Sequence, residues 1–209
     1  MTYTNISAVI LSGGRNTRME GRDKAMLRVA GQPILERSIS VLEQIFEELI
    51  IVTNDTRRYN YKRIKIVKDE IKNIGPLGGI HAGLGYLSGK AGFFVGCDMP
   101  FLHNDIIRQQ VEHFNRTPCD ALVPRIGGSI EPLHAVYKTS LKDKINNFVK
   151  KSDDHSIRSF LKTTNVHFFD LQDTASNRQC FRNINTPIEL AGLRVCGLTR
   201  GQGDSHKKT

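Results

Sequence analysis

The most chemically loaded stretch of this 209-residue chain is LSGGRNTRMEGRDK, residues 11–24, where adjacent glycines, several cations and a closing lysine follow directly on an apolar run. Gly13 and Gly14 carry no Cβ, so backbone N–H groups there can approach phosphate oxygens as an anion-binding nest, with Arg18 and Lys24 adding positive charge. Such a loop suits a triphosphate. It is neither GxxxxGK[ST], because no hydroxyl residue follows Lys24, nor GxGxxG, and by itself it also reads as an ordinary glycine turn with surface cations. Asp98 closes a second apolar run, residues 92–96, which puts a carboxylate at a strand's carboxyl end, where ligands gather in alternating folds. The competing role for Asp98 is a helix N-cap before Met99-Pro100. The segment GPLGGIHAGL, residues 75–84, could close over a nucleotide with backbone donors or simply start a helix tightly.

These residues need strands that deliver them to one place, and the hydrophobic pattern supplies such strands. Residues 6–11 read as a buried strand running into the glycine loop, residues 49–52 as a strand ending in Thr53-Asn54-Asp55, and residues 64–67 as one ending in Lys68-Asp69-Glu70. Further strands are predicted at 26–29 (short), 92–96, 121–124, 133–137 and 166–169, with Gly127-Gly128 as a loop or hairpin tip. Ile34, Leu35, Ile39, Val41, Leu42, Ile45 and Phe46 form a helical stripe, with Pro33 suited to its first turn after the Gly31-Gln32-Pro33 turn. Helices are also expected after the 75–84 segment, around Ile106, Ile107, Val111 and Phe114, and over 141–148 and 157–161. Interleaving of this kind predicts an α/β fold with a mostly parallel sheet covered on both faces, whose ligands gather at the strands' carboxyl ends. One domain over residues 1–196 is expected, followed by a mobile tail at 197–209.

The composition narrows the classes. An apolar fraction of 39% and a charged fraction of 24% are those of a globular domain. No run of about 20 apolar residues could span a bilayer and no signal core opens the chain, so a cytoplasmic protein without a membrane partner is expected. Cys97, Cys119, Cys180 and Cys196 form no CxxC pair and read as reduced thiols. His81, His134 and His155 lack ligand spacing and read as structural. The net charge of +9 is dispersed and accompanies no nucleic-acid recognition module, so a small phosphorylated ligand explains its sign without nucleic acid.

The motifs LSGGRNTRMEGRDKAML, GPLGGIHAGL, VGCDMPFL (95–102), EPLHAVY (131–137) and NINTPIEL (183–190), in this order over nearly the whole chain, resemble the molybdenum cofactor guanylyltransferases. Asp23 before Lys24 favours that branch over relatives with proline there, whereas Ser12 and Glu20 stand where the family commonly has Ala and Gly. The resemblance implies a Rossmann-like three-layer α/β/α nucleotidyltransferase fold and transfer of GMP from GTP to molybdopterin with release of pyrophosphate, with Mg²⁺ as cofactor. Molybdoenzyme apo-proteins or their chaperones are the implied recipients of the product.

Carried over residue by residue, the resemblance makes Lys24, Arg18 and Asp98 catalytic, with Asp98 also the metal ligand. It assigns the nucleotide to Leu11, Ser12, Gly13, Gly14, Lys24, Thr53, Asn54, Asp69, Gly78 and Asp98, and the acceptor to Gly21, Arg158, Asn183 and Asn185, with the Gly127-Gly128 loop as a further contributor. Asn183 and Asn185 can donate and accept towards a pterin edge, though either could be a turn or cap residue before Thr186-Pro187. No proton-abstracting residue is assigned, because the acceptor phosphate is already anionic. Two other readings stay open: a nucleotidyltransferase of the same fold using CTP or another phosphorylated acceptor, and a nucleotide-binding module without catalysis.

Overall fold

Alternation of apolar side chains along the strands sends them into two separate cores, one on each face of a single sheet. The computed structural model describes residues 2–13, 24–71, 73–184 and 189, without the side chains of Lys24 and Arg58. In β1 (Ile6–Ser12), Ile6, Ala8 and Ile10 enter one core while Val9 and Leu11 enter the other, as the two-residue period of a strand requires. β4 (Leu49–Thr53) divides in the same way, with Leu49 and Ile51 on one face and Ile50 and Val52 on the other.

The remaining strands are β2 (Arg28–Val29), β3 (Gln32–Pro33), β5 (Lys65–Lys68), β6 (Ala91–Gly96), β7 (Ala121–Ile126), β8 (Ser129–Ile130), β9 (His134–Lys138) and β10 (Val166–Leu171). The helices are α1 (Ile34–Leu42), α2 (Pro76–Tyr86), α3 (Asn104–Arg116), α4 (Leu141–Lys151), α5 (Ile157–Leu161) and α6 (Ala175–Cys180). Eight strands make the main sheet, ordered β10-β7-β9-β6-β1-β4-β5 with β8 beside β7, and β2 pairs with β3 in a small separate ribbon. β6, β1, β4 and β5 run parallel, as do β7 and β10, while β9 is antiparallel to both β6 and β7. The mostly parallel α/β expectation holds, with β9 and the short β8 the antiparallel members.

Residues of α1 and α3 fill one core (Leu35, Ile39, Leu42, Ile107, Val111, Phe114), and residues of α2, α4 and α5 fill the other (Leu77, Ile80, Leu84, Leu141, Ile145, Phe160). Three layers result, each large apolar side chain adding roughly 1.5–3 kcal/mol on burial. α2 lies close on the sheet because Gly83 carries no side chain where a Cβ would stand 2.6 Å from the Phe94 ring.

The structure corrects several boundaries. Pro33 belongs to β3 and caps α1 rather than sitting in its first turn. Ile45 and Phe46 are buried beyond the end of α1, where their N–H groups bond to the Leu42 carbonyl in a turn, so the apolar stripe outlasts the helix. Met26 lies in a 3-10 turn, Lys24–Met26, not in an extended piece. The short α6 was not foreseen, because only Cys180 of its residues is buried and its stripe is therefore too sparse to read. Among the described residues, no helix is long and apolar enough to cross a membrane. The proposed tail, residues 197–209, and Cys196 lie outside the described residues.

Candidate active site at the carboxyl edge of the sheet

Parallel register brings several of the chemistry-bearing residues to one edge. Ser12 pairs with Thr53 across β1 and β4, Leu11 pairs with Gly96 across β1 and β6, and the Cys97 N–H donates to the Leu11 carbonyl at 3.1 Å. Leu11, Ser12, Thr53 and the turn holding Asp98 therefore share the carboxyl ends of three adjacent strands. Asn54 reaches across to the glycine loop, its Nδ2 lying 3.7 Å from where a Cβ on Gly13 would stand. Ser12, the departure from the family's alanine, has a physical partner: its hydroxyl lies 2.7 Å from the Tyr59 hydroxyl. Thr53 is buried, and its Oγ1 accepts the Asp55 N–H at 3.2 Å, so it shapes the loop after β4.

Asp69 follows β5 and lies against the start of α2. Its Oδ1 accepts the Ile71 N–H at 3.1 Å, and a Cβ on Gly78 would stand 2.8 Å from that same oxygen. Burial pushes the Asp69 carboxyl above its ordinary range, opposed by the Ile71 N–H and by His81. Of the two readings of the 75–84 segment, the structure has the tight helix start: Gly75 is the N-cap at φ 63°, a left-handed value that suits glycine, and Pro76 begins α2. Leu77, Gly78 and Gly79 are thus helical, and the Gly78 N–H donates to the Gly75 carbonyl at 3.2 Å within this first turn.

Asp98 stands in the turn after β6. A Cβ on Gly96 would meet its Oδ1 at 2.7 Å, and the Asp98 carbonyl accepts the Ile184 N–H at 2.9 Å. It is not a helix cap, since α3 begins at Asn104 with His103 at the cap position. The following Pro100 carbonyl is held by Arg37 Nε of α1 at 3.3 Å. Among the described residues no three His, Cys, Asp or Glu side chains gather as a metal cage. The Asp98 carboxylate is nevertheless a hard oxygen donor of the kind that fits Mg²⁺, which takes one or two carboxylates and completes its shell with substrate phosphates and water.

Other predicted positions fall elsewhere. Arg18, Gly14, Gly21 and Asn185 lie outside the described residues, and Lys24 is described only as backbone in the 3-10 turn. Arg158, on α5, is exposed and donates from Nη2 to the Ile130 carbonyl at 3.3 Å, on the β7–β9 side of the sheet. Asn183 is exposed and immediately precedes Ile184, which is bonded to Asp98. Gly127 and Gly128 form the β7–β8 turn at φ 53° and 81°.

The histidines sit in packing environments. His134 is buried between Phe93 and Phe181, with ring centroids 5.0 and 4.6 Å away, and burial pushes its pKa down to about 4. His81 is buried with Nδ1 3.8 Å from Glu70 Oε2, and its pKa is lowered by burial and by Lys142. His155 Nε2 lies 3.3 Å from the Val149 carbonyl. Two neighbours of the site were missed in the sequence, Tyr59 and Glu131. Glu131 was legible as the head of the EPLHAVY motif, whereas nothing in the local sequence ties Tyr59 to Ser12.

Comparison with known proteins bears on the family and the fold. Residues 8–168 match the model of the MobA-like NTP transferase domain. A molybdenum cofactor guanylyltransferase of Syntrophotalea carbinolica is 35% identical over 194 residues, spanning 91% of this chain and 91% of the relative. A protein of Natranaerobius thermophilus named a probable molybdenum cofactor guanylyltransferase is 33% identical, over 91% of this chain and 95% of its own length. Among solved structures, the molybdopterin-guanine dinucleotide biosynthesis protein A of Archaeoglobus fulgidus superposes with a TM-score of 0.74 at 23% identity, covering 91% of this chain and 98% of that one, which speaks for the fold. With its strand-end carboxylate and glycine loop on a matching α/β/α frame, the chain belongs to the molybdenum cofactor guanylyltransferases of the MobA-like NTP transferase family.

Proposed function

We propose that the protein transfers GMP from GTP to molybdopterin, forming the guanine dinucleotide cofactor and releasing pyrophosphate. The observation that carries the reading is the place of Asp98: β6 lies between β1-β4-β5 on one side and β9-β7-β10 on the other, so Asp98 stands at the boundary of two halves of one sheet edge. The β1-β4-β5 half presents the glycine loop, Asn54 and Asp69 and suits the nucleotide. The opposite half presents Arg158 and the Gly127-Gly128 turn and suits the acceptor.

In the reaction an oxygen of the acceptor's terminal phosphate attacks the α-phosphorus of GTP, the bond from that phosphorus to the bridging oxygen breaks, and pyrophosphate leaves. The attacking oxygen is already anionic, so alignment matters more than proton removal. Gly13 and Gly14 would bind phosphate oxygens on backbone N–H groups, and the charges of Arg18 and Lys24 would stabilise the leaving pyrophosphate. Asp69, with Thr53 and Asn54, orients the guanosine. Asp98 would hold Mg²⁺, which when bound supplies positive charge to the phosphate oxygens. Asn183 and Asn185, with Gly21 and Arg158, hold the acceptor. The cysteines Cys97, Cys119 and Cys180, not joined in disulfides, suit a reducing cytoplasmic setting.

The test is direct. Purified protein, GTP, Mg²⁺ and molybdopterin should yield pyrophosphate and a guanine dinucleotide identified by mass, dependent on the metal. Equal turnover with CTP would overturn the guanine assignment, and absence of any transfer would overturn the reaction.

A further inference from the structure

Glu131 stands beside this edge and has no role in the assignment above. Its backbone is fixed: its N–H donates to the Pro124 carbonyl at 3.0 Å, its carbonyl accepts the His134 N–H at 3.1 Å, and the Leu133 carbonyl, two residues on, accepts the Gly96 N–H at 3.1 Å. The last bond ties the segment to the turn that carries Asp98. The side chain is half-buried, and burial pushes its carboxyl above the ordinary range while the Arg158 guanidinium acts in the opposite sense.

Among the described residues no group hydrogen-bonds to that carboxylate, and Arg158 directs Nη2 to the Ile130 carbonyl instead. Glu48 shows what a structural carboxylate of this fold receives. Burial pushes it up too, yet Ser7 Oγ, Ser88 Oγ and the Ser88 N–H all donate to it and bring it below its ordinary range. A carboxylate desolvated without such donors is unfavourable in the free protein and rewards a ligand that brings N–H groups.

The position selects the ligand. Ile130 and Leu133 pack on the α2-α4-α5 face, and β9 is separated from the nucleotide strands by β6, so Glu131 belongs to the acceptor half. A pterin carries an amino group and a ring N–H side by side on its pyrimidinone edge, two parallel donors matched to the two oxygens of one carboxylate. We infer that Glu131 is a specificity-determining residue that reads this amino-lactam edge of the acceptor, held beside the reaction centre by the Leu133–Gly96 bond. The inference rests on the acceptor being molybdopterin. Guanine carries the same pair of donors, and the test separates the two.

The experiment compares wild type with Glu131→Gln, which keeps the shape but replaces one acceptor oxygen by an NH₂ donor. The KM for molybdopterin should rise about tenfold or more, as for a site built around a substrate N–H that loses its match, while the KM for GTP stays within about twofold and kcat falls less than KM rises. As competitors against molybdopterin, wild type should prefer pterin to lumazine, which has an oxo group in place of the amino group, and the variant should lose that preference. A purely structural role would lower the melting temperature without erasing the pterin-to-lumazine ratio. Should Glu131→Gln fold poorly, Glu131→Asp keeps both oxygens and should retain the preference with a weaker KM. An unchanged KM and ratio, or a rise confined to the KM for GTP, would overturn the inference. Failure of wild type to transfer GMP to molybdopterin would overturn the reaction itself before any variant is compared.

Discussion

Asp98 Oδ1 rests where a side chain on Gly96 would begin, 2.7 Å from the position of its Cβ. Both residues lie within three positions at the end of β6, and the carboxylate folds back over the strand that carries it. Gly78 and Asp69 repeat the relationship between two segments, with the Asp69 oxygens 2.8 and 2.9 Å from the point of a Gly78 Cβ. Asp98 and Asp69 are therefore each seated on a glycine.

Gly96→Ala should displace the Asp98 carboxylate while leaving the fold standing. Because misplacement of a reacting group by about 1 Å can cost on the order of 10²-fold, kcat should fall by roughly that factor with a small change in melting temperature. Wild-type kcat in this variant would show that Asp98 tolerates another position.

Gly78→Ala tests the nucleotide side. Alanine favours a helix by about 0.8–1 kcal/mol over glycine, but here its methyl would also stand 2.7 Å from the Ile71 carbonyl oxygen. The KM for GTP should rise about tenfold or more as Asp69 is pushed aside, with the KM for molybdopterin unchanged. Equal effects on both substrates would count against Asp69 as a nucleotide contact.

Asp98→Asn keeps the shape and removes the charge. Turnover should fall on the order of a hundredfold or more, and the concentration of Mg²⁺ needed for half-maximal rate should rise. Unchanged metal dependence would remove Asp98 as a metal ligand.

Ser12 and Tyr59 join the glycine loop to the segment after β4 through their 2.7 Å hydroxyl contact. A double-mutant cycle with Ser12→Ala and Tyr59→Phe, read by denaturant unfolding, should give a coupling of about 1 kcal/mol. Full additivity would mean that the contact contributes nothing.

His134 predicts an acid-sensitive component of stability. Its folded-state pKa, about 4, lies below the value of about 6.5 that an unfolded histidine has. Its contribution is therefore fully present above pH 6.5 or so and is lost as pH falls through about 4, amounting to roughly 3 kcal/mol. His134→Phe, which retains an aromatic ring between Phe93 and Phe181, should flatten the fall in unfolding free energy between pH 7 and pH 4.5. Parallel curves for the two proteins would place the acid sensitivity elsewhere.

The sequence by itself determined the strands that end in chemistry, because each is a short apolar run closed by a polar or glycine-rich segment. Ser12-Gly13, Thr53-Asn54, Lys68-Asp69 and Cys97-Asp98 could be read as strand ends, and the motif order identified the family. Strand pairing was decided only in three dimensions, because it rests on contacts between distant segments that local pattern does not encode. The insertion of β9 between β6 and β7 is such a case: it runs antiparallel, so its amino end, with Glu131 just before it, arrives beside the end of β6, from which the Asp98 turn leads off. The helical state of Leu77, Gly78 and Gly79 is another, since glycine content leaves loop and helix start open while the structure packs Gly79 on Leu11 and Gly78 against Asp69 within a helix. Periodicity marks which face of an element is buried; which residue fills the space over a glycine depends on where the rest of the chain has gone.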